Sequence, residues 1–376
     1  MTFVFYAQIH QPLRLTDYRI FDVGSDKEYI DHELNKRVLL DCAKRCYRPA
    51  LRILKRALDT VPTAKVAFSI SGLALEQLES FAPEVLFDIE DLLGTGRVEL
   101  LAESYYHSLS YVRDPERFFE EVALHRDAIE KRFSITPRVL RNTELIFDQE
   151  LAQHAQERGF SHVLACIPGE QGVIRVAKSP VIIPLKSVEL SDDIAFRFSD
   201  HSWREYPLSA AKYAQWVSEA DHAHIFIDFE TFGEHHREET GILSFLEELF
   251  PALARQGVAF ALPSELEASR TINVSGVTSW ADRELDLSAW LSNRIQKAAF
   301  EAIWSLEERA RASGFERTWR ELLTSDHFYY MATKNSADGI VHAYFNPYGS
   351  PYEAFIRYMN VVKDLSERIE THSIVT

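Results

Sequence analysis

Cysteine is scarce in this 376-residue chain, with three residues at 42, 46 and 166. An odd, sparse set without a CxxC pair argues for reduced thiols in the cytoplasm rather than a disulfide framework. Cys42 and Cys46 stand one helical turn apart and read as small buried side chains. Positive charge is in deficit too: 41 Lys and Arg face 57 Asp and Glu, for a net charge of −16. Nucleic acid and anionic membranes both need a positive surface, so neither is expected as a partner. No apolar run reaches the length of a membrane span. The opening "MTFVFYAQIHQP" has no basic segment and no small-residue cleavage site, so no signal peptide is read. Catalytic signatures are missing as well. There is no GxSxG elbow and no P-loop, and "GTGRVE" departs from the dinucleotide fingerprint and precedes a strand. Neither HExxH nor HxxxH occurs, and neighbours such as His235 and His236 point in different directions, so no metal or other cofactor is expected.

What the chain does have is apolar content and alternation. At 46% hydrophobic and 26% charged residues, its length supports one large domain or two smaller ones with a substantial core. Strand-like segments ("FVFYAQI", "KVAFSIS", "GRVELL", "PRVLRNTEL", "SHVLAC", "HIFIDF", "GVAFAL") alternate with helical patterns near 35–58, 73–81, 83–93, 115–131, 148–158, 210–219 and 242–256. Residues 169–202 read as a hairpin or excursion. Alternation of this kind predicts an α/β fold with a buried parallel sheet, and about seven strands suit barrel-like closure. After about residue 271 the character changes to long amphipathic helices, roughly 284–371. The division expected is therefore 1–270 for the α/β domain and 271–376 for a helical domain packed on it. Oligomeric state is left unassigned.

In parallel α/β folds functional residues collect after the carboxyl ends of strands. Strand one ends at His10 and Gln11. "GRVELL" carries Glu99 and leads to Glu103 and His107, "RNTEL" delivers Glu144, "HIFIDFETFGEHH" delivers Asp228 and Glu230, and "ALPSE" delivers Glu265. Asp228 follows a buried strand, so desolvation and a neighbouring carboxylate should raise its pKa. Pleat alternation puts Glu230 on the same face, as a like charge that helps keep Asp228 protonated. Glu234 and His236 read as loop surface. Two carboxyls held apart in pKa, acting on a neutral polar substrate, are the equipment of glycoside hydrolysis. Aromatic residues beside polar ones ("SYYHSLSY", "HSWREY", "SWADRELDLSAW", "SDHFYYM") suit sugars, whose C–H faces stack on rings. On that ground Trp280, Asp326 and His327 join the candidates, whereas Phe300, Trp304 and Trp319 keep helical spacing and read as core.

The motifs "HQP" (10–12), "GRVELLAESYYHSL" (96–109), "RNTEL" (141–145), "DFETFGEH" (228–235) and "PSE" (263–265), in this order, resemble glycoside hydrolase family 57, specifically its α-amylase-like branch. "SWADRELDLSAWLSN", "SDHFYYM" and "YFNPYGSPYEAF" resemble the helical region of the same family, with departures at Leu285 and Ser292. The resemblance implies an incomplete (β/α)7 barrel followed by a C-terminal α-helical bundle, and retaining chemistry on an α-glucan or maltooligosaccharide. It implies Glu144 as nucleophile and Asp228 as general acid/base, with His10, Glu99, His107, Glu230 and His235 lining the sugar site. Hydrolysis of the α-amylase type is the leading expectation. A 4-α-glucanotransferase or branching-type transglycosylase would use the same residues. A metal-dependent carbohydrate deacetylase and a silent glucan-binding homologue are more distant readings.

Overall fold

The computed structural model describes the backbone of residues 1–334 and 346–375 and the side chains up to residue 372. Among the described residues ten strands run in chain order: β1 (Thr2–Ile9), β2 (Val66–Ile70), β3 (Val98–Leu100), β4 (Val139–Arg141), β5 (His162–Leu164), β6 (Val173–Val176), β7 (Ile183–Pro184), β8 (Ala223–Asp228), β9 (Ala259–Phe260) and β10 (Arg270–Ile272). The sheet order β3-β2-β1-β8 is parallel throughout, and β9 adds to the start of β1. Parallel pairing demands crossovers, and helices such as Arg48–Thr60, Pro115–Phe133 and Ile242–Arg255 supply them. The result is an α/β fold.

Alternation along β1 divides the core. Phe3, Phe5, Ala7 and Ile9 face the helix-packed side with Leu51, Leu54, Leu246 and Phe250. Val4 and Tyr6 face an inner cluster with Ala67, Leu101, Leu164 and Phe226. Burial on both faces explains why "FVFYAQI" is apolar without a two-residue period. Pairing continues past the named sheet. Ala102 N donates to Val139 O (2.9 Å) and Arg141 N to Ala102 O (2.8 Å), joining the end of β3 to β4. β4 pairs with β5, Val163 N donates to Ile182 O (3.0 Å) towards β7, and Ser187 N donates to His224 O (2.8 Å) in β8.

Residues 169–202 do contain a hairpin, β6 against β7, but Val188–Ala195 is a helix that was not expected. Its buried Ser191 and Asp193 break the apolar spacing that would have signalled it. The stretch expected as one helix over 35–58 is two, His32–Cys42 and Arg48–Thr60, joined by a π-turn at Ala43–Tyr47. Pro49 has no N–H for the carbonyl of Arg45, and a wider turn absorbs that loss.

Beyond β10 the described elements are helices, among them Arg294–Trp304, Glu316–Glu321, Ser325–Tyr329 and Pro351–Val375. They share one apolar cluster with the α/β part: Phe118 and Val122 pack with Phe300, Trp304, Trp319 and Tyr358. Phe300, Trp304 and Trp319 are core, as their spacing predicts, with Trp304 edge-on to Trp319 at 5.2 Å. Large side chains buried in this way contribute about 1.5–3 kcal/mol each. Residues 344 and 345 of "YFNPYGSPYEAF" lie outside the described residues. No described helix is long and apolar enough to cross a membrane.

Candidate active site

A cavity of about 530 Å³ opens at the carboxyl ends of β1, β4 and β8, and its wall includes His10, Glu144, Asp228, Trp280 and Asp326. Ligand sites occupy roughly 300–1,000 Å³.

Glu144 follows β4 in a tight turn, with φ of 56° at Glu144 and 50° at Leu145. Two successive non-glycine residues in the left-handed region are strained, and such strain persists only where other contacts impose it. Here the contacts come from far along the chain. Phe147 N donates to Thr278 O (2.9 Å), Thr278 N to Phe147 O (2.8 Å) and Trp280 N to Glu144 O (3.2 Å). Both carboxylate oxygens of Glu144 accept hydrogen bonds, Oε1 from His107 Nε2 (3.1 Å) and Ser325 Oγ (3.5 Å), Oε2 from Trp280 Nε1 (2.6 Å). Burial pushes its pKa up, but His107, Arg141 and Trp280 reverse this and hold it below the usual range. Glu144 is therefore a carboxylate.

The ring of His107 links Glu144 to a buried charge cluster. Its Nδ1 lies 3.4 Å from Glu103 Oε2, while Gln8 Nε2 and Arg141 Nη1 approach the same nitrogen at 3.0 and 3.4 Å. Burial disfavours the imidazolium, but a carboxylate at each end of the ring outweighs it and raises His107 to about 9. Glu103 is fully buried, which pushes it up, yet His107 and Arg141 bring it down to about 2. His10 stacks on His107, with centroids 4.0 Å apart and planes at 26°. Its Nδ1 meets Ser71 Oγ (2.7 Å), and its Nε2 meets Asp326 Oδ2 (3.1 Å). Burial and the positive His107 hold His10 below its ordinary pKa, so it is neutral and donates to an ionised Asp326.

His10, His107 and Asp326 bring potential ligand atoms within 4.8 Å of one another. They do not fit a metal. Stacked rings send their in-plane lone pairs side by side instead of to one point.

Asp228 is the last residue of β8, opposite Gln8 in register. Burial, followed by the charge of Glu144, raises it to about 6. Pleat alternation does not account for Glu230, because β8 ends at Asp228 and Phe229–Thr231 turns as a 3-10 helix. That turn still delivers Glu230 to the cavity. There it is 6% exposed and accepts a hydrogen bond from Tyr47 OH. Burial and then Asp228 raise Glu230 to about 8, so it is a neutral acid near pH 7. The like charge on Asp228 therefore comes from Glu144 rather than Glu230.

The loop after β8 rests on the π-turn. Cys46 Sγ donates to Phe229 O (3.3 Å), and a Cβ on Gly233 would stand 2.2 Å from Arg45 O. His235 lines the cavity, and burial lowers it to about 3. His236 is not loop surface. It is 4% exposed and bonds Ser199 Oγ (2.7 Å) and Ala195 O (3.0 Å). Glu234 is not surface either, since it lines the cavity and pairs with Arg45 and Arg237, both at 3.0 Å.

Most of the expected residues converge, and three do not. Gln11 lines the wall and donates to Tyr47 OH (3.1 Å), and Trp280 touches Glu144 directly. Glu99 lies on β3 and accepts from Ser264 N (3.1 Å), off the cavity wall. A strand position places it a full residue run before the loop, and Glu103 takes the central place instead. His327 is 3% exposed and turns into the helical core, 5.5 Å from Tyr358. Glu265 pairs with Lys65 at 2.6 Å, away from the site. Gln8, Tyr47, Arg141, Lys186 and Ser325 also belong to the site and were not among the candidates. An arginine inside the apolar strand "RVLR" was the readable signal for Arg141; Lys186 had none.

A buried carboxylate and a second carboxyl of raised pKa lining one cavity are the equipment of a glycosidase. The sequence pattern of glycosyl hydrolase family 57 matches residues 4–278. A Methanocaldococcus jannaschii protein named "Putative alpha-amylase" is 34% identical over 98% of this chain and 85% of its own length. The solved branching enzyme of Pyrococcus horikoshii superposes with a TM-score of 0.68 at 13% identity, over 95% of this chain and 88% of that one. The 4-alpha-glucanotransferase of Thermococcus litoralis gives 0.59 at 18% identity over 88% of this chain; only 51% of that enzyme is covered, so this chain spans about half its length. The chain belongs to glycosyl hydrolase family 57.

Proposed function

We propose that this chain is a retaining glycosidase of the α-amylase type that cleaves α-1,4 bonds in maltooligosaccharides or longer α-glucans. The observation that carries this reading is that Glu144 and Asp228 line one cavity, with the pKa of Glu144 held down by His107 and Trp280 and that of Asp228 pushed up by burial and Glu144. The relative named as an α-amylase supports the substrate class. Asp228 donates its proton to the glycosidic oxygen as the C–O bond breaks, and Glu144 attacks the anomeric carbon to form a glycosyl ester. Asp228, now ionised, takes a proton from water, and that oxygen displaces Glu144 with net retention. His107 and Trp280 hold the attacking carboxylate in place. His10, Gln11, Glu230, His235 and Asp326 face the sugar, and neutral Glu230 can donate to a hydroxyl. A sugar hydroxyl in place of water would give transglycosylation from the same intermediate.

The pairing path from β1 through β2, β3, β4, β5 and β7 back to β8 supports an incomplete (β/α)7 barrel over 1–270, with 271–376 as a helical domain. Three buried, free cysteines support a reducing cytoplasm. Product analysis on maltoheptaose, with and without EDTA, tests the function. Net release of reducing ends in the α configuration, unaffected by chelator, is the expected result. Chain redistribution without new reducing ends would move the assignment to transglycosylation, and loss of activity to EDTA would overturn the mechanism.

A further inference from the structure

One wall of the cavity plays no part in the mechanism above. It is formed by Pro12, Arg14, Leu34, Val38, Tyr330 and Pro347. Arg14 is 6% exposed, yet among the described residues no carboxylate lies within 4.0 Å of its guanidinium. Its Nη1 donates to Pro12 O and Asn35 Oδ1, both at 3.3 Å, and its backbone N to Asn35 Oδ1 at 3.0 Å. These bonds fix the side chain from one side. Nε and Nη2 make no hydrogen bond among the described residues, and Arg14 lines the cavity, so two donors are left for a ligand. Burying a cation without an anion is costly unless its remaining donors are satisfied.

The surroundings select the acceptor. Leu34, Val38 and Pro347 offer apolar surface, and Tyr330 offers a ring. A planar fork beside apolar and aromatic surface matches two adjacent hydroxyls and the C–H face of a pyranose. The charges of Asp326 and Arg14 both act on the phenol of Tyr330. Arg14 is not among the leading charges that act on Glu144 or Asp228, so it stands apart from the two acids. We infer that Arg14 binds vicinal hydroxyls of a glucosyl unit remote from the cleaved bond, so that it sets the chain length the cavity prefers. This rests on the α-glucan reading above.

Calorimetric titration with maltoheptaose of the Glu144→Gln enzyme, alone and combined with Arg14→Lys or Arg14→Met, tests the inference without turnover. Arg14→Lys keeps the charge and removes the fork. Thermal denaturation checks that each variant is folded. Both double variants should bind maltoheptaose roughly 10- to 100-fold more weakly, the range for losing hydrogen bonds from a charged donor. Equal affinities in folded proteins would overturn the inference and leave the glycosidase reading standing. Binding of inorganic phosphate that is lost with Arg14→Lys, with maltoheptaose affinity unchanged, would overturn it in favour of an anion site. A folded Glu144→Gln parent that binds no maltoheptaose would instead remove the α-glucan reading on which it rests.

Discussion

Glu230→Gln should stabilise the protein, and by an amount that depends on pH. Glu230 is buried beside Asp228 and accepts the hydroxyl of Tyr47, and its pKa rises from 4.5 to about 8. Because the folded value is the higher one, the folded state holds this proton more tightly than the unfolded chain does. The resulting stability is fully present below pH 4.5 and is lost as pH rises through 8. Raising a carboxyl from 4.5 to about 8 is worth about 5 kcal/mol at 1.36 kcal/mol per pH unit, and about 3 kcal/mol of this is already gone at pH 7. Glutamine has the shape of the neutral acid: its carbonyl can accept from Tyr47, and its amide keeps a donor. The variant should match the wild type near pH 4 and exceed it by about 3 kcal/mol at pH 7 and about 5 kcal/mol at pH 9. Urea denaturation of both proteins at these three pH values measures it. A gain independent of pH, or a loss at pH 7, would refute the assignment of Glu230 as a neutral buried acid.

Three further outcomes follow from the same geometry. The pH profile of kcat/KM should be a bell, rising on an acid limb below 4.5 as Glu144 ionises and falling through about 6 as Asp228 loses its proton; an optimum above pH 7 would contradict Asp228 as the proton donor. Trp280→Phe removes the 2.6 Å donor to the nucleophile, so kcat should fall roughly 10-fold or more and the acid limb should move up, which rate measurements between pH 3 and 6 would detect. Gly233→Ala puts a methyl group 2.2 Å from Arg45 O at a φ of 125°, and chemical denaturation should show a loss of about 2–5 kcal/mol; a change below about 0.5 kcal/mol would mean that the loop does not rest on the π-turn.

Much of this was readable from residue order, because apolar runs ending in acids or histidines obey the rule that strands of a parallel sheet deliver function at their carboxyl ends. His10, Glu144 and Asp228 were found in that way. Strand alternation failed at Glu230, where a tight turn replaced the pleat, and at His236, whose polar ring is satisfied inside the fold by Ser199 and Ala195. Glu99 was misplaced because a run of two acids four residues apart does not say which one reaches the end of the strand. Partners far apart in sequence stayed hidden: nothing local marks Tyr47 as the companion of Glu230, or Lys186 as a neighbour of Trp280. His327 looked functional beside Asp326, but on a helix adjacent residues point apart.

The bond between Trp280 and Glu144 spans 136 positions. A ribosome therefore releases Glu144 long before the segment that clamps it. Until Thr278 and Trp280 arrive, the left-handed turn at Glu144 and Leu145 has nothing to hold it, and a nascent chain has no aligned attacking carboxylate. The region matched by the family pattern ends at residue 278, so a fragment cut there would keep both acids yet lose the clamp. The turn that carries Glu144 is thus completed late in synthesis, only after residues 278–280 have been added.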